Sequence, residues 1–283
     1  MMNVTRVPVL TLLAAIFVGL ANLSFAAPAS ELIPRWDAHD QNSKTVVNHS
    51  KLDQFLAKYR YVGDDGVARL HYNHVTPEDR NLLNGYVSDL EAVPVSKLNR
   101  AEQYAYWVNL YNSGTIKVIL DHFPVPTIKD INISPGFFSV GPWGKQFLKV
   151  EGEAVSLDNI EHGILRPIWK DPRTHYVVNC ASIGCPDIPE KALTAHNTEQ
   201  THEKAARAYV NNPRGVRVTE SGDVYASSIY DWFSSDFGNS EADTLDHIRK
   251  YAAEDLKSRL EGKSEIEGYN YNWSLNGDPK PNG

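Results

Sequence analysis

The chain has 283 residues, a formal net charge of −7 and 42% hydrophobic residues. This hydrophobic content is sufficient for a buried core. The acidic balance and the lack of a basic cluster argue against a nucleic-acid partner or an anionic membrane surface. No cofactor is expected, because the sequence contains neither a phosphate-binding loop nor a dinucleotide fingerprint.

The first 26 residues have the pattern of a secretory signal peptide. Arg6 precedes an apolar run over residues 9–21, and small residues, Ser24 and Ala26, stand where a signal peptidase reads the chain. The run of 13 residues is too short to cross a bilayer, which requires about 20. We therefore expect a secreted or periplasmic protein that is not membrane-bound after cleavage.

The remaining chain is predicted to form a polar leader, residues 27–46, and one globular domain, residues 47–276. Apolar residues at helical spacing predict a helix over 48–59, and Thr76 followed by Pro77 is typical of the start of a second helix. A short strand is expected over 66–72.

A long helix is predicted over residues 99–121, and apolar residues occur nearly all round it. Asn109 and Asn112 lie one turn apart among these apolar positions. Buried amides are usually hydrogen-bonded for structural reasons. The alternative is that one of them orients a catalytic imidazole.

A hairpin over 145–150 and 153–156 is predicted to lead into a helix capped by Ser156. Glu161 lies in the apolar stripe of this helix, and His162 flanks it. Since buried carboxylates are usually paired, Glu161 either pairs with an arginine, such as Arg166 or Arg173, or belongs to a functional site.

The apolar segment from His175 to Cys180 is predicted to be a buried strand that ends in a tight loop. Alternation along a strand places His175 and Cys180 on opposite faces, which argues against a catalytic or metal pair between them. A base for Cys180 must then come from another element.

The C-terminal part is predicted to contain a helix over 198–211, a hairpin over 216–219 and 224–226, and a helix over 245–260. The aromatic tail, 269–276, is expected to pack back on the body. Asp236-Phe237-Gly238 matches a kinase tripeptide, but the accompanying kinase motifs are missing, so the match is interpreted as coincidence. The expected fold is α+β, with a central apolar helix packed against a small, mostly antiparallel sheet and surrounded by further helices.

Four ordered segments together resemble the family called domain of unknown function 547. They are the helix from Asn99 to Asn112, the segment from Ser156 to His162, the loop from Asn179 to Pro186 and the tail from Trp273 to Asn276. The resemblance covers residues 96–237 with the tail and implies no established activity. Some multidomain relatives carry glutaredoxin-like or thioredoxin-like domains, which points to thiol chemistry. The positions that match the family pattern are Asn109, Asn112, Glu161, His162, Asn179, Cys180 and Cys185.

The two cysteines leave three hypotheses open. In an exported protein the simplest is a disulfide between Cys180 and Cys185 that staples a binding or interaction module for an unknown small molecule or protein. The second is a cysteine-dependent hydrolase or acyltransferase, in which His162 and Glu161 assist Cys180. The third is a thiol-disulfide exchange protein. A zinc site is disfavoured because no second cysteine pair or close histidine pair accompanies the C-x4-C spacing.

The site is predicted to be a polar cleft where the end of the His175–Cys180 segment meets the Ser156 helix and the long helix. Catalytic candidates are Cys180, His162 and Glu161. The substrate-binding candidates are three amides, Asn109, Asn112 and Asn179.

Overall fold

The structure, a computed structural model, describes residues 28–136 and 139–278. The predicted signal peptide lies outside the described residues. Within them, no helix is long and apolar enough to cross a membrane.

The described part is α+β, as predicted. Its α-helices are α1 (Ser50–Tyr59), α2 (Pro77–Glu91), α3 (Arg100–His122), α4 (Leu157–Ile160), α5 (Arg166–Trp169), α6 (Thr198–Val210), α7 (Ile229–Trp232), α8 (Ser234–Phe237), α9 (Glu241–Tyr251) and α10 (Glu254–Arg259). Its strands are β1 (Arg60–Val62), β2 (Ala68–Leu70), β3 (Leu148–Val150), β4 (Glu153–Val155), β5 (Val216–Val218), β6 (Val224–Ser227) and β7 (Gly268–Asn270). A π-helix, Glu161–Leu165, joins α4 to α5.

The strands form three separate small sheets rather than the single sheet predicted. β1 pairs with β2 and β3 with β4, both antiparallel. The third sheet has the order β5-β6-β7, in which β6 and β7 are parallel. The turn between β3 and β4 has positive φ at both Glu151 (47°) and Gly152 (85°), as a tight type I′ hairpin requires.

Helix α3 begins where the sequence predicted, because the Asn99 side chain accepts a hydrogen bond from the backbone N–H of Glu102. Most of its residues are buried, including Trp107 and Tyr111. It packs mainly against α2, α4 and the π-helix, and the Leu148 side chain of β3 also lies against it at Gly114.

The predicted strand from His175 to Cys180 is wrong. Residues Pro172–Tyr176 form a 3₁₀ helix, and irregular chain follows to Cys180. The Asn112 amide takes the place of a neighbouring strand, since its Nδ2 donates to the Val177 carbonyl (2.8 Å) and its Oδ1 accepts from the Asn179 N–H (2.8 Å). A buried side chain thus satisfies backbone groups that a β-ladder would otherwise pair.

The predicted helix over 245–260 also differs from the structure. Helix α9 is capped by Ser240 and so begins before the predicted start at residue 245. Irregular residues after Tyr251 separate α9 from α10. The tail lies against the body, where Leu275 N–H donates to the Pro126 carbonyl (2.8 Å) and Asn276 N–H donates to the Ala181 carbonyl (3.0 Å). The tail therefore contacts the loop that carries the cysteines.

Candidate functional site

Both cysteines are free thiols, so the predicted disulfide is not formed in this structure. The Cys180 Sγ lies 2.9 Å from the Cys185 Sγ. A disulfide requires about 2.05 Å, so this contact is a hydrogen bond between two sulfur atoms and not a covalent link. The predicted proximity of the two side chains is correct, but the staple is absent.

The Asn179 side chain shapes the cysteine loop, which we define as residues 179–186. Its Oδ1 accepts from the Ala181 N–H (2.9 Å) and from the Asn276 amide (3.1 Å), while its Nδ2 donates to the Pro186 carbonyl (2.7 Å). Ala181 has a left-handed backbone (φ 58°), which turns the chain back on itself. These bonds hold the two ends of the loop together.

Gly184 lets the loop lie directly on the tail. Its N–H donates to the Asn272 carbonyl (2.7 Å), and an added Cβ would lie 2.7 Å from the Asn272 nitrogen. Since that is closer than side-chain carbons approach backbone atoms, a side chain here would push the tail away from the cysteines.

The Cys180 thiol is partly exposed and surrounded by neutral hydrogen-bonding groups. Its Sγ lies 3.0 Å from the Tyr271 hydroxyl and 3.3 Å from the Ser182 hydroxyl. Burial acts to raise the pKa of Cys180, but its hydrogen bonds with Cys185, Ser182 and Tyr271 outweigh burial and hold that pKa below its ordinary value. Lowering the pKa increases the fraction of reactive thiolate.

Cys185 has the opposite character. Its side chain is buried, and its Sγ also accepts a hydrogen bond from the Cys180 N–H (2.9 Å). Burial raises the pKa of Cys185 well above its ordinary value, and the hydrogen bond and charge of Cys180 raise it further. Cys180 is therefore partly exposed with a lowered pKa, whereas Cys185 is buried with a raised pKa.

The side-chain amides of Asn109 and Asn112 on α3 use both their nitrogen and their oxygen in hydrogen bonds to the backbone. Asn109 Nδ2 donates to the Leu193 carbonyl (2.8 Å), and Asn109 Oδ1 accepts from the Leu193 N–H (2.9 Å). Asn112 bonds the chain before the cysteine loop in the same way. These contacts agree with the structural interpretation of both residues. That Asn109, Asn112 and Asn179 bind a substrate remains a prediction.

Glu161 and His162 lie in the π-helix, which places both side chains in a second polar region. This region, the ionic cluster, consists of Glu161, His162, Arg166, His175 and Asp236. The Asp236 carboxylate accepts from Arg166 Nε (2.6 Å) and lies 2.8 Å from His175 Nε2. His175 Nδ1 lies 3.7 Å from Glu161 Oε1, and Arg166 Nη1 lies 3.1 Å from His162 Nδ1.

Among the described residues, neither Arg166 nor Arg173 forms the predicted ion pair with Glu161. Arg166 binds Asp236, and Arg173 binds Asp171 and Glu199. Glu161 instead has histidine neighbours. Burial acts to raise its pKa, but His162, His175 and a hydrogen bond from Tyr111 outweigh burial and lower the pKa to about 2.

The two histidines of the ionic cluster have shifted pKa values of opposite sign. Burial lowers the pKa of His162 to about 4, so this imidazole is neutral near pH 7. Burial also acts to lower the pKa of His175, but hydrogen bonds from Asp236 and Glu161 outweigh it and raise that pKa. His175 stacks on Phe233 with ring centroids 4.1 Å apart. The two carboxylates on either side of His175 therefore favour its protonated form.

The proposed catalytic pair of Cys180 and His162 shares no hydrogen bond within residues 28–136 and 139–278. The partners of Cys180 are Cys185, Ser182 and Tyr271, none of which is a base near neutral pH. The two regions are linked electrostatically, since the charge of Glu161 raises the pKa of Cys180.

Three residues that take part in these contacts were not predicted from the sequence. Ser182 and Tyr271 contact the Cys180 thiol, and Asp236 links Arg166 to His175. Ser182 lies inside the C-x4-C spacing, which was a usable signal. Tyr271 and Asp236 lie 91 and 61 residues from their partners Cys180 and His175, so only the fold shows these contacts.

The comparisons with known proteins bear on family and not on activity. No curated protein and no solved structure matches the chain. A family model described as protein of unknown function, DUF547, matches residues 95–210, which include the cysteine loop, the π-helix and most of the ionic cluster. This match, over residues 95–210, supports membership of the DUF547 family.

Proposed function

We propose that Cys180 and Cys185 form a redox-active dithiol that exchanges electrons with disulfide substrates. The observation that carries this proposal is the Sγ–Sγ separation of 2.9 Å between two free thiols. A partly exposed cysteine with a lowered pKa beside a buried cysteine with a raised pKa is the asymmetry that a two-step exchange requires.

In the first step the Cys180 thiolate attacks one sulfur of the substrate disulfide. A bond forms between Cys180 Sγ and that sulfur, the substrate S–S bond breaks, and the other substrate sulfur leaves as a thiolate and takes up a proton. Hydrogen bonds from Tyr271 and Ser182 stabilise the attacking thiolate.

In the second step Cys185 loses its proton and attacks Cys180 Sγ. The Cys180–Cys185 disulfide forms, and the second substrate sulfur leaves as a thiol. Two electrons and two protons have then moved from the dithiol to the substrate. The two sulfur atoms approach each other by only about 0.9 Å, from 2.9 Å to disulfide length.

The surroundings of Cys180 favour electron exchange over acyl transfer. A cysteine hydrolase requires a base in contact with the thiol. In the described part of the chain, the side chains that hydrogen-bond Cys180 Sγ carry a thiol or a hydroxyl. A binding module stapled at this loop is supported less well, because the cysteines are free.

A cavity beside the loop supports a substrate with acidic groups. Its volume is about 340 Å³, and its lining includes Gly184, Arg214, Arg217 and Tyr271. Tyr271 therefore contacts Cys180 and also faces this cavity. Arg214 is paired with Asp187, so Arg217 is the arginine at the wall that favours a carboxylate-bearing disulfide. The signal-like first 26 residues favour an extracytoplasmic location, where disulfides persist.

The test is redox titration of the purified protein in glutathione buffers of increasing potential, followed by thiol counting. We expect both thiols to be lost together at one midpoint potential, with no bound glutathione at the end point. Oxidised glutathione should react faster than neutral hydroxyethyl disulfide, and Arg217→Gln should reduce that difference. Thiols that stay reduced in every buffer would contradict the proposal.

Single variants separate the roles of the two thiols. Cys185→Ser should accumulate a mixed disulfide between glutathione and Cys180, because the resolving thiol is missing. Cys180→Ser should acquire no such adduct at Cys185, because that thiol is buried and its pKa is raised. Equal adduct formation in the two variants, with unchanged circular dichroism, would overturn the assigned roles.

A further inference from the structure

His74 ends a short 3₁₀ helix, Tyr72–His74, and His71 immediately precedes this helix. The His74 N–H donates to the His71 carbonyl (3.0 Å), and a 3₁₀ helix repeats every three residues, so positions i and i+3 face the same way. The two ring centroids are 5.3 Å apart. The H-x2-H spacing therefore presents two imidazoles on one side of the turn.

The C-terminal tail brings a carboxylate to these imidazoles. The Leu70 N–H donates to the Asn276 carbonyl (3.0 Å), and the Tyr72 hydroxyl donates to Asn276 Oδ1 (3.0 Å). Two residues later, Asp278 Oδ1 lies 2.5 Å from His71 Nδ1. The tail is thus anchored immediately before the residue that completes the group.

The Asp278 carboxylate has one oxygen without a protein partner. Its Oδ2 is buried and has no hydrogen-bond partner of good geometry among the described residues, although the Tyr61 hydroxyl lies close enough for burial and Asp278 together to raise the pKa of Tyr61. A buried carboxylate oxygen without a partner is unfavourable, so the missing partner requires an explanation. The three side chains offer one ligand atom each, and these atoms all lie within 4.8 Å of one another.

We propose that His71, His74 and Asp278 bind a divalent transition metal ion such as Zn²⁺. Imidazole nitrogens and a carboxylate oxygen are common zinc ligands, with metal–ligand distances of about 2.0–2.2 Å. Small rotations of the side chains would bring the three atoms to these distances, and the ion would replace the hydrogen bond between His71 Nδ1 and Asp278 Oδ1. Solvent would supply the fourth ligand, because His74 is exposed.

The ion clamps the tail to the body. The same tail carries Asn276 and Tyr271, which contact Asn179 and Cys180 in the cysteine loop. The site was not predicted from the sequence, because Asp278 is 207 residues from His71. The proposal does not depend on the redox function of the cysteines.

The test is titration with Zn²⁺ by calorimetry, using the tag-free Cys180→Ser/Cys185→Ser protein so that no thiol can bind the metal. We expect one ion per chain and a rise in melting temperature with added Zn²⁺. His74→Gln and Asp278→Asn should each weaken binding by about tenfold or more, since each removes a ligand. His196→Gln, at another exposed histidine, is the matched control.

Melting in the presence of a chelator establishes that each variant is folded before binding is compared. Absence of Zn²⁺ binding by the cysteine-free protein would overturn the proposal. So would full affinity in His74→Gln and Asp278→Asn, or a loss of affinity in His196→Gln equal to theirs.

Discussion

The cysteine loop and the ionic cluster both hold titratable groups in largely buried surroundings, but they satisfy these groups differently. In the ionic cluster, full charges meet full charges, and Arg166 and His175 both bind Asp236. In the cysteine loop, the Cys180 thiol is partly exposed and meets hydroxyl groups and a second thiol. The charged region is therefore suited to holding the fold together, whereas the neutral region leaves its thiol available for reaction.

The largest effect is expected from a substitution that breaks the ionic cluster and leaves the side chains of the cysteine loop unchanged. Asp236→Asn removes the carboxylate that binds both buried Arg166 and buried His175, so the free energy of unfolding should fall by about 3–5 kcal/mol. Urea denaturation measures the loss. Asp89→Asn is the matched control, because the Lys51–Asp89 pair is exposed and should contribute less than about 1 kcal/mol. Equal losses in the two variants would show that the cluster does not stabilise the fold.

The second prediction concerns pH, because burial lowers the pKa of four histidines to about 4. They are His49, His162, His202 and His247. The folded pKa is below the unfolded value of about 6.5, so the unfolded chain takes up protons first as pH falls. The stability that the folded protein has while these four imidazoles are neutral is fully present above about pH 6.5 and is lost between about pH 6.5 and 4.

The free energy of unfolding should therefore fall by on the order of several kcal/mol between pH 7.5 and 5. His175 acts in the opposite direction, because its pKa is raised and its contribution is lost as pH rises. Denaturant titrations at several pH values measure the slope. His49→Gln should have a shallower slope than the unmodified protein. A pH-independent stability over this window would contradict the prediction.

The third prediction tests the neutral surroundings of the cysteine loop. Tyr271→Phe removes a hydroxyl that lies 3.0 Å from Cys180 Sγ, so the pKa of Cys180 should rise. Alkylation of Cys180 at pH 7 should slow by about three- to tenfold, because a smaller fraction of the thiol is then ionised. Tyr269→Phe, two residues away on the same segment, is the control, because its hydroxyl binds Glu241 instead. Equal rates in Tyr271→Phe and the unmodified protein would exclude this role.

The smallest expected effect measures the coupling between the two regions. The charge of Glu161 raises the pKa of Cys180, so Glu161→Gln should lower that pKa and speed alkylation by about twofold. Glu220→Gln, an exposed substitution of the same type, should leave the rate unchanged. Slower alkylation in Glu161→Gln, with an unchanged melting temperature, would contradict the electrostatic link.

Much of the helical structure was predictable because it depends on local signals. The helix caps at Thr76, Asn99 and Ser156 accept the hydrogen bonds that their residue types indicate. The prediction of a strand from His175 to Cys180 was wrong because the apolar run does not reveal which group pairs with its backbone. Asn112, on a helix 65 residues earlier, bonds the Val177 carbonyl and makes a β-ladder unnecessary.

The sequence by itself determined the α+β class, the position of α3 and the closeness of Cys180 to Cys185, because each follows from periodicity, capping or short chain separation. Only the tertiary structure decided which groups surround the thiols. Tyr271, Asp236 and Asp278 reach their partners through long-range packing, and no local pattern encodes a contact between residues so far apart in the chain. The chemistry of Cys180 depends on those contacts, since they determine whether its thiol meets a base, a charge or a hydroxyl.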